Sequence, residues 1–201
     1  KRLATDAPAD DVRGLIHRRS GVPCVAAPQD RVHDMDALPD PDFSEYFAAI
    51  AASRLKERIH PTLLFESARG CWWGAKSHCT FCGLNGDTMK FRSKSAARTI
   101  AELERQSERY KLKNFSAVDN IIAHDYFQDF LPALKAKNAG FNLFYEIKSN
   151  LRPDQVKLLK DAGVWAVQPG VESLSSPVLK LMKKGVTAIQ NIQLLKSCRE
   201  H

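Results

Sequence analysis

After Pro61 the chain alternates, four times over, between a short apolar run and a longer segment of helical periodicity. The runs are residues 62–66, 115–118, 141–147 and 164–167. Between and after them, residues 95–111 repeat Ile100, Leu103 and Tyr110 on one face, and 127–137 carry Phe130, Leu131 and Leu134 before Gly140. Pro153 opens a helix through Val156, Leu158 and Leu159 that stops at Gly163, and 188–198 place Ile189, Ile192 and Leu195 together. Proline fits the first turn of a helix and glycine its end. Successive strand–helix units of this kind build a parallel sheet. The fold class is therefore α/β.

Four units leave a choice between a doubly wound sheet and part of a barrel. No Gly-x-Gly-x-x-Gly follows any run, which weakens the dinucleotide-binding option. Polar side chains gather where the strands end: Glu66 and Arg69, Asp119 and Asn120, Glu146 with Lys148 and Asn150, Gln168 and Glu172. Barrel enzymes keep their chemistry at the carboxyl ends of their strands. Alternation puts Glu146 and Lys148 on one face of the third strand. The expectation is a partial TIM-like (βα) barrel of about four units, preceded by a linker.

Residues 1–45 read as that linker, with Pro8, Pro23, Pro28, Pro39 and Pro41 and the acidic group Asp34, Asp36, Asp40 and Asp42. Residues 14–18 read as one short strand. From Phe43 a helix begins, with Ser44 as its expected cap and Tyr46, Phe47, Ile50 and Leu55 at helical spacing. Residues 46–201 form the core domain in this reading. The chain opens on Lys1 and stops inside a helical pattern, as a piece of a longer protein would. Lys1 and Arg2 are followed by Asp6, Asp10 and Asp11 rather than an apolar stretch, so no secretory signal is read and a cytoplasmic location is expected. No apolar run approaches the ~20 residues of a membrane helix. The net charge of +7 permits an anionic partner, but dispersed basic residues also simply keep a surface soluble.

Three of the five cysteines fall within twelve positions: Cys71, Cys79 and Cys82. Such clustering points to metal ligation rather than to a disulfide framework. Cys24 and Cys198 stand alone and read as small half-buried thiols. Three thiolates on one loop can hold three irons of a [4Fe–4S] cluster, leaving the fourth iron open to a small molecule. Gly70, Gly74, Gly83 and Gly86 would let the loop wind, Trp72, Trp73 and Phe81 would wall off water, and Lys76 and Arg69 would offset thiolate charge. The alternative is structural zinc, with His78 or another histidine completing a Cys₃His set in a module whose basic surface grips nucleic acid. The loop follows a buried strand, no second Cys-x-x-Cys pair exists, and His78 abuts Cys79. Those features favour the cluster. His124 reads as a loop histidine.

The stretches Glu66-Ser-Ala-Arg-Gly-Cys-Trp-Trp-Gly, His78-Cys-Thr-Phe-Cys-Gly-Leu-Asn-Gly, Phe91-Arg-Ser-Lys-Ser, Val118-Asp-Asn-Ile, Tyr145-Glu-Ile-Lys-Ser-Asn-Leu, Gln168-Pro-Gly-Val-Glu-Ser-Leu and Leu181-Met-Lys-Lys-Gly-Val-Thr together resemble the radical S-adenosylmethionine (radical SAM) superfamily. The resemblance is to its RiPP maturation proteins, which modify ribosomally made peptides and are often cobalamin-associated C-methyltransferases. It runs from about Leu38 to the end of the chain. Seven residues separate Cys71 from Cys79, where the wider superfamily has three; the longer spacing is a habit of that subgroup.

The resemblance implies a barrel of the radical SAM type in which Cys71, Cys79 and Cys82 ligate the cluster. S-adenosylmethionine would chelate the open iron, and one electron would cleave its sulfur–C5′ bond to give methionine and a 5′-deoxyadenosyl radical. Phe81 would contact adenine, Glu172 the ribose hydroxyls, and Asp119, Glu146 and Lys148 would hold S-adenosylmethionine or substrate. The implied partners are a precursor peptide and an electron donor such as flavodoxin or ferredoxin, with no membrane and no nucleic acid. Cobalamin would belong to a domain upstream of Lys1, since no Asp-x-His-x-x-Gly motif is present. On this reading the fragment is inactive alone.

Overall fold

The structure, a computed structural model, describes residues 12–29, 31–84 and 88–201. The readings on Lys1, Arg2, Asp6, Pro8, Asp10, Asp11 and Gly86 lie outside the described residues. Two compact units are present, one ending at His33 and the other running from Asp34 to His201.

In the first unit, β1 (Ile16–Arg19) and β2 (Val22–Val25) form an antiparallel hairpin with His17 opposite Cys24. Ser20 and Gly21 turn the chain with φ of 50° and 83°, the pair of positive values that matches the twist of a two-residue hairpin. The sequence reading caught only the first strand.

The second unit begins before residue 46. Asp36 Oδ1 accepts from Ser95 N at 2.7 Å, Arg98 reaches Asp40 at 2.6 Å, Arg105 Nε reaches Asp40 at 2.6 Å, and Arg109 pairs with Asp42 at 2.9 Å. These basic residues share one face of helix α3 (Ala96–Tyr110), so the stretch read as the end of a linker is strapped along that helix. Arg105 in the first place, then Arg98, hold the Asp40 carboxyl below the usual range. Helix α1 spans Ser44–Ala52. Asp42 rather than Ser44 supplies the side-chain bond at its start, accepting from Ser44 N at 2.8 Å.

The centre is a parallel sheet of β3 (Leu63–Phe65), β6 (Asn114–Ala117), β7 (Asn142–Ile147) and β8 (Val164–Pro169), in the spatial order β3-β6-β7-β8. Chain order and spatial order coincide. A doubly wound sheet reverses direction at a switch point; this one does not, and it grows as a barrel does. Between these strands, β4 (Ala68–Arg69) and β5 (Arg92–Ser93) make a short antiparallel pair, and α2 covers Trp72–Lys76. Helices α4 (Phe130–Lys137), α5 (Pro153–Asp161), α6 (Ser176–Leu181) and α7 (Ala188–Glu200) complete the unit.

Strand alternation sorts the sheet into two faces. Leu63, Phe65, Phe115, Leu143 and Tyr145 are all buried against Leu103, Phe130, Leu131, Leu159 and Leu194 of the helices. On the other face Leu64 is 47% and Trp165 70% exposed, and with Phe144 and Ser116 they line an open hollow. Among the described residues no helix is long and apolar enough to cross a membrane.

Candidate active site

The cysteine loop is closed at its base. Ala68 pairs with Ser93 and Arg69 with Arg92, while Lys94 N donates to Ser67 O at 2.8 Å and Cys71 N to Met89 O at 3.3 Å. Gly70 sits at φ +84°, and a Cβ there would run into the Lys90 carbonyl, so no other residue fits this turn without displacement. Among the described residues nothing lies within 4 Å of a Cβ at Gly83, so the winding attributed to glycine rests at its firmest on Gly70.

Cys71, Cys79 and Cys82 open on one cavity at the carboxyl ends of β7 and β8. Burial pushes the Cys79 thiol above its ordinary pKa, opposed by Lys184 and Lys148 and reinforced by Cys71 and Cys82. Cys71 Sγ also accepts from Gly74 N at 3.3 Å.

Among the described residues, no three His, Cys, Asp or Glu stand close enough to hold a single metal ion. One tetrahedral zinc draws its ligands tightly together, whereas a cubane spreads its thiolates over separate irons. His78 Nε2 lies 2.9 Å from the Cys82 carbonyl. That bond keeps a ring nitrogen on the backbone instead of on a metal. The donor set fits a cluster on three thiolates; the zinc module finds no support.

The remaining sequence candidates divide. Phe81, Glu146, Lys148 and Glu172 line the same cavity as the cysteines. Phe81 is 51% exposed, with Lys184 Nζ 5.6 Å from its ring centre. Burial raises the Glu146 carboxyl. Lys148 is only 5% exposed; burial first, and then the charge of Lys184, lower its pKa to about 8.

Asp119 does not line the cavity. It is 1% exposed, accepts from Ser67 N at 2.8 Å and also from the Ser67 hydroxyl, and Tyr145 OH lies 3.0 Å from Ser67 Oγ. Burial pushes its pKa up to about 6. Its position ties the end of β6 to the residues that lead into the cysteine loop. The strand-end role read for it is replaced by one inside the fold. Arg69 is likewise not beside the thiols but held by Glu66 at 2.5 and 2.8 Å, so the cations beside Cys79 are Lys148 and Lys184. Trp72 stands apart from the cavity, donating to Ile122 O at 3.0 Å with its ring edge-on to His124.

Sequence reading missed the turn after α6. Leu181 O and Met182 O accept from Thr80, Lys183 O accepts from Trp73 Nε1 at 3.1 Å, and Lys184 O accepts from Lys148 Nζ at 2.5 Å. Gly185 has φ +67°, and a Cβ there would enter the Trp73 ring. Four consecutive carbonyls thus face the cysteine loop and its lysine. The Leu181-Met-Lys-Lys-Gly motif was visible, but nothing in its composition shows what its backbone would meet.

A singly wound parallel sheet with three thiols lining one cavity at the strand ends defines an α/β domain whose site lies where barrel enzymes keep their chemistry. This chain belongs to the radical SAM superfamily, whose family profile matches residues 65–201; a [4Fe–4S] cluster and S-adenosylmethionine are the cofactors that membership implies. Among curated proteins, it is 23% identical over 193 residues to an uncharacterized methyltransferase of Pyrococcus horikoshii, PH0819, covering 94% of this chain and 40% of that protein. It is 26% identical over 167 residues to the bacteriochlorophyllide d C-12(1)-methyltransferase of Chlorobaculum tepidum, covering 81% of this chain and 35% of that protein. Its fold is similar to that of the cobalamin-dependent S-adenosylmethionine radical enzyme OxsB with aqua-cobalamin bound, at TM-score 0.70 and 23% identity, over 98% of this chain and 29% of OxsB. The chain thus spans well under half the length of each.

Proposed function

We propose that this chain carries the cluster- and S-adenosylmethionine-binding part of a radical SAM methyltransferase that acts on a carbon of a ribosomally made peptide. One observation carries the reading: three thiols share a cavity with a buried lysine and two carboxylates. The two curated relatives are named as methyltransferases, which supports methyl transfer. The peptide rests on the motifs that resemble RiPP maturation proteins. OxsB is described as cobalamin-dependent, which supports cobalamin as a further cofactor, and no residue of this chain is assigned to it.

A cluster on Cys71, Cys79 and Cys82 supplies, when bound, the electron that cleaves the sulfur–C5′ bond of S-adenosylmethionine. The residues around it do the rest. Each thiol must lose its proton on ligation, and Lys148 and Lys184 oppose the burial that holds Cys79 protonated. Lys148 offers an ammonium to the methionyl carboxylate, and Glu146 accepts from the amino group or from substrate. Glu172 takes the ribose hydroxyls and Phe81 gives adenine a flat apolar face. Trp73, Ile121 and Ile147 line the cavity and keep water from the reacting centre.

The full-length protein, reconstituted anaerobically, is expected to be brown with about four irons and four sulfides. With reductant, a precursor peptide and methyl-labelled S-adenosylmethionine it should form 5′-deoxyadenosine and labelled peptide. A colourless protein holding one zinc overturns the cluster; 5′-deoxyadenosine with unlabelled peptide overturns methylation.

A further inference from the structure

Glu172 holds its place in the cavity on a strained backbone. Its φ is +57°, and across it Ser173 N donates to Val171 O at 2.6 Å. A three-residue turn closed around a residue with positive φ is rare and persists only where neighbours over-determine it. The neighbour is Asn191, on α7.

Asn191 is fully buried, at 0% exposure. Its Nδ2 donates to Val171 O at 2.9 Å and to Ser173 O at 2.8 Å, the two carbonyls that flank Glu172. An amide facing two carbonyls must present its NH₂ to both, so its orientation follows from the partners. Among the described residues Asn191 Oδ1 is buried without a hydrogen-bond partner, so the side-chain bonds shown are directed at this turn. The far end of Glu172 is fixed separately, with Lys184 Nζ 2.8 Å from Oε1.

We propose that Asn191 is a positioning residue that sets the aim of the Glu172 carboxylate at the adenosyl group. This rests on the reading above that Glu172 binds the ribose. Without the two bonds the turn relaxes toward ordinary backbone, and the carboxylate leaves its line.

The test uses the full-length, anaerobically reconstituted protein and titrates S-adenosylmethionine against the electron paramagnetic resonance signal of the reduced cluster. Asn191→Leu removes both donors and Glu172→Ala removes the carboxylate. Each is expected to weaken binding about tenfold or more, the scale of a lost charge-assisted hydrogen bond, with iron and sulfide content unchanged. The double variant should bind no more weakly than Glu172→Ala alone, because residues acting through one another are not additive. Additive losses, or normal binding by Asn191→Leu beside weak binding by Glu172→Ala, overturn the proposal. Normal binding by Glu172→Ala overturns the ribose reading and the proposal with it. If Asn191→Leu does not accumulate folded, Asn191→Ser, which keeps one donor, is read instead; wild-type affinity there overturns the proposal and an intermediate loss supports it.

Discussion

The Lys148 ammonium stands 3.9 Å from the centre of the Trp73 ring and donates to the Lys184 carbonyl at 2.5 Å. A cation so placed is held by a ring face and a dipole, and its charge is left for whatever enters the cavity. Lys148→Met is therefore expected to keep its iron and to weaken S-adenosylmethionine binding about tenfold or more, the range of a lost hydrogen bond to a charged group. Iron analysis and a binding titration check it; wild-type affinity would remove Lys148 from the ligand's contacts.

Trp73 needs Gly185 as its seat. Gly185→Ala brings a methyl into the indole and strains a backbone at φ +67°, a cost of about 1–3 kcal/mol. Urea denaturation should show lower stability and reconstitution should show less iron. Gly83→Ala, which meets open space, should change neither.

Cysteine substitutions separate ligands from bystanders. Ala at 71, 79 or 82 is expected to abolish the cluster. Cys198 packs against the core from α7 and Cys24 sits in the hairpin, so Cys198→Ala and Cys24→Ala should leave iron and sulfide unchanged. Loss of iron in either would show a wrong ligand set.

Asp119 gives the fold a pH dependence whose sign is fixed. Burial raises its carboxyl from 3.8 to about 6, so between those values the folded state holds the proton more tightly than the unfolded chain. The contribution is complete below pH ~4 and is lost as pH rises through about 6. Relative to Asp119→Asn, which cannot titrate, the native protein should lose about 3 kcal/mol between pH ~4 and ~7. Urea denaturation of both proteins across that range measures it; parallel pH profiles would refute it.

Much of the second unit was legible because apolar runs and helical periodicity are local signals. Helix α6 was not, since six residues after Ser175 are too few to show a period. The paired strands Ala68–Arg69 and Arg92–Ser93 are too short to show alternation. Asp119 was misplaced because proximity to a strand end was read without its parity. Counting by twos from Phe115 and Ala117, both buried, carries the side chain at 119 to the helix-covered face, while Glu146 and Lys148 fall on the other parity from Tyr145 and Ile147. Lys184 lay in a visible motif, but its place beside Cys79 was not legible, because it is set by a contact between segments about a hundred residues apart.

That separation bears on how the domain is made. The bond from Trp73 Nε1 to Lys183 O spans 110 residues, while neighbouring strands join in the order they are synthesised. Emerging from the ribosome, the sheet can accumulate piece by piece with modest loop closure. The pocket's rim cannot close until the lysine-rich turn has been translated. The complete cavity is thereby a late product of synthesis, formed after the scaffold beneath it is in place.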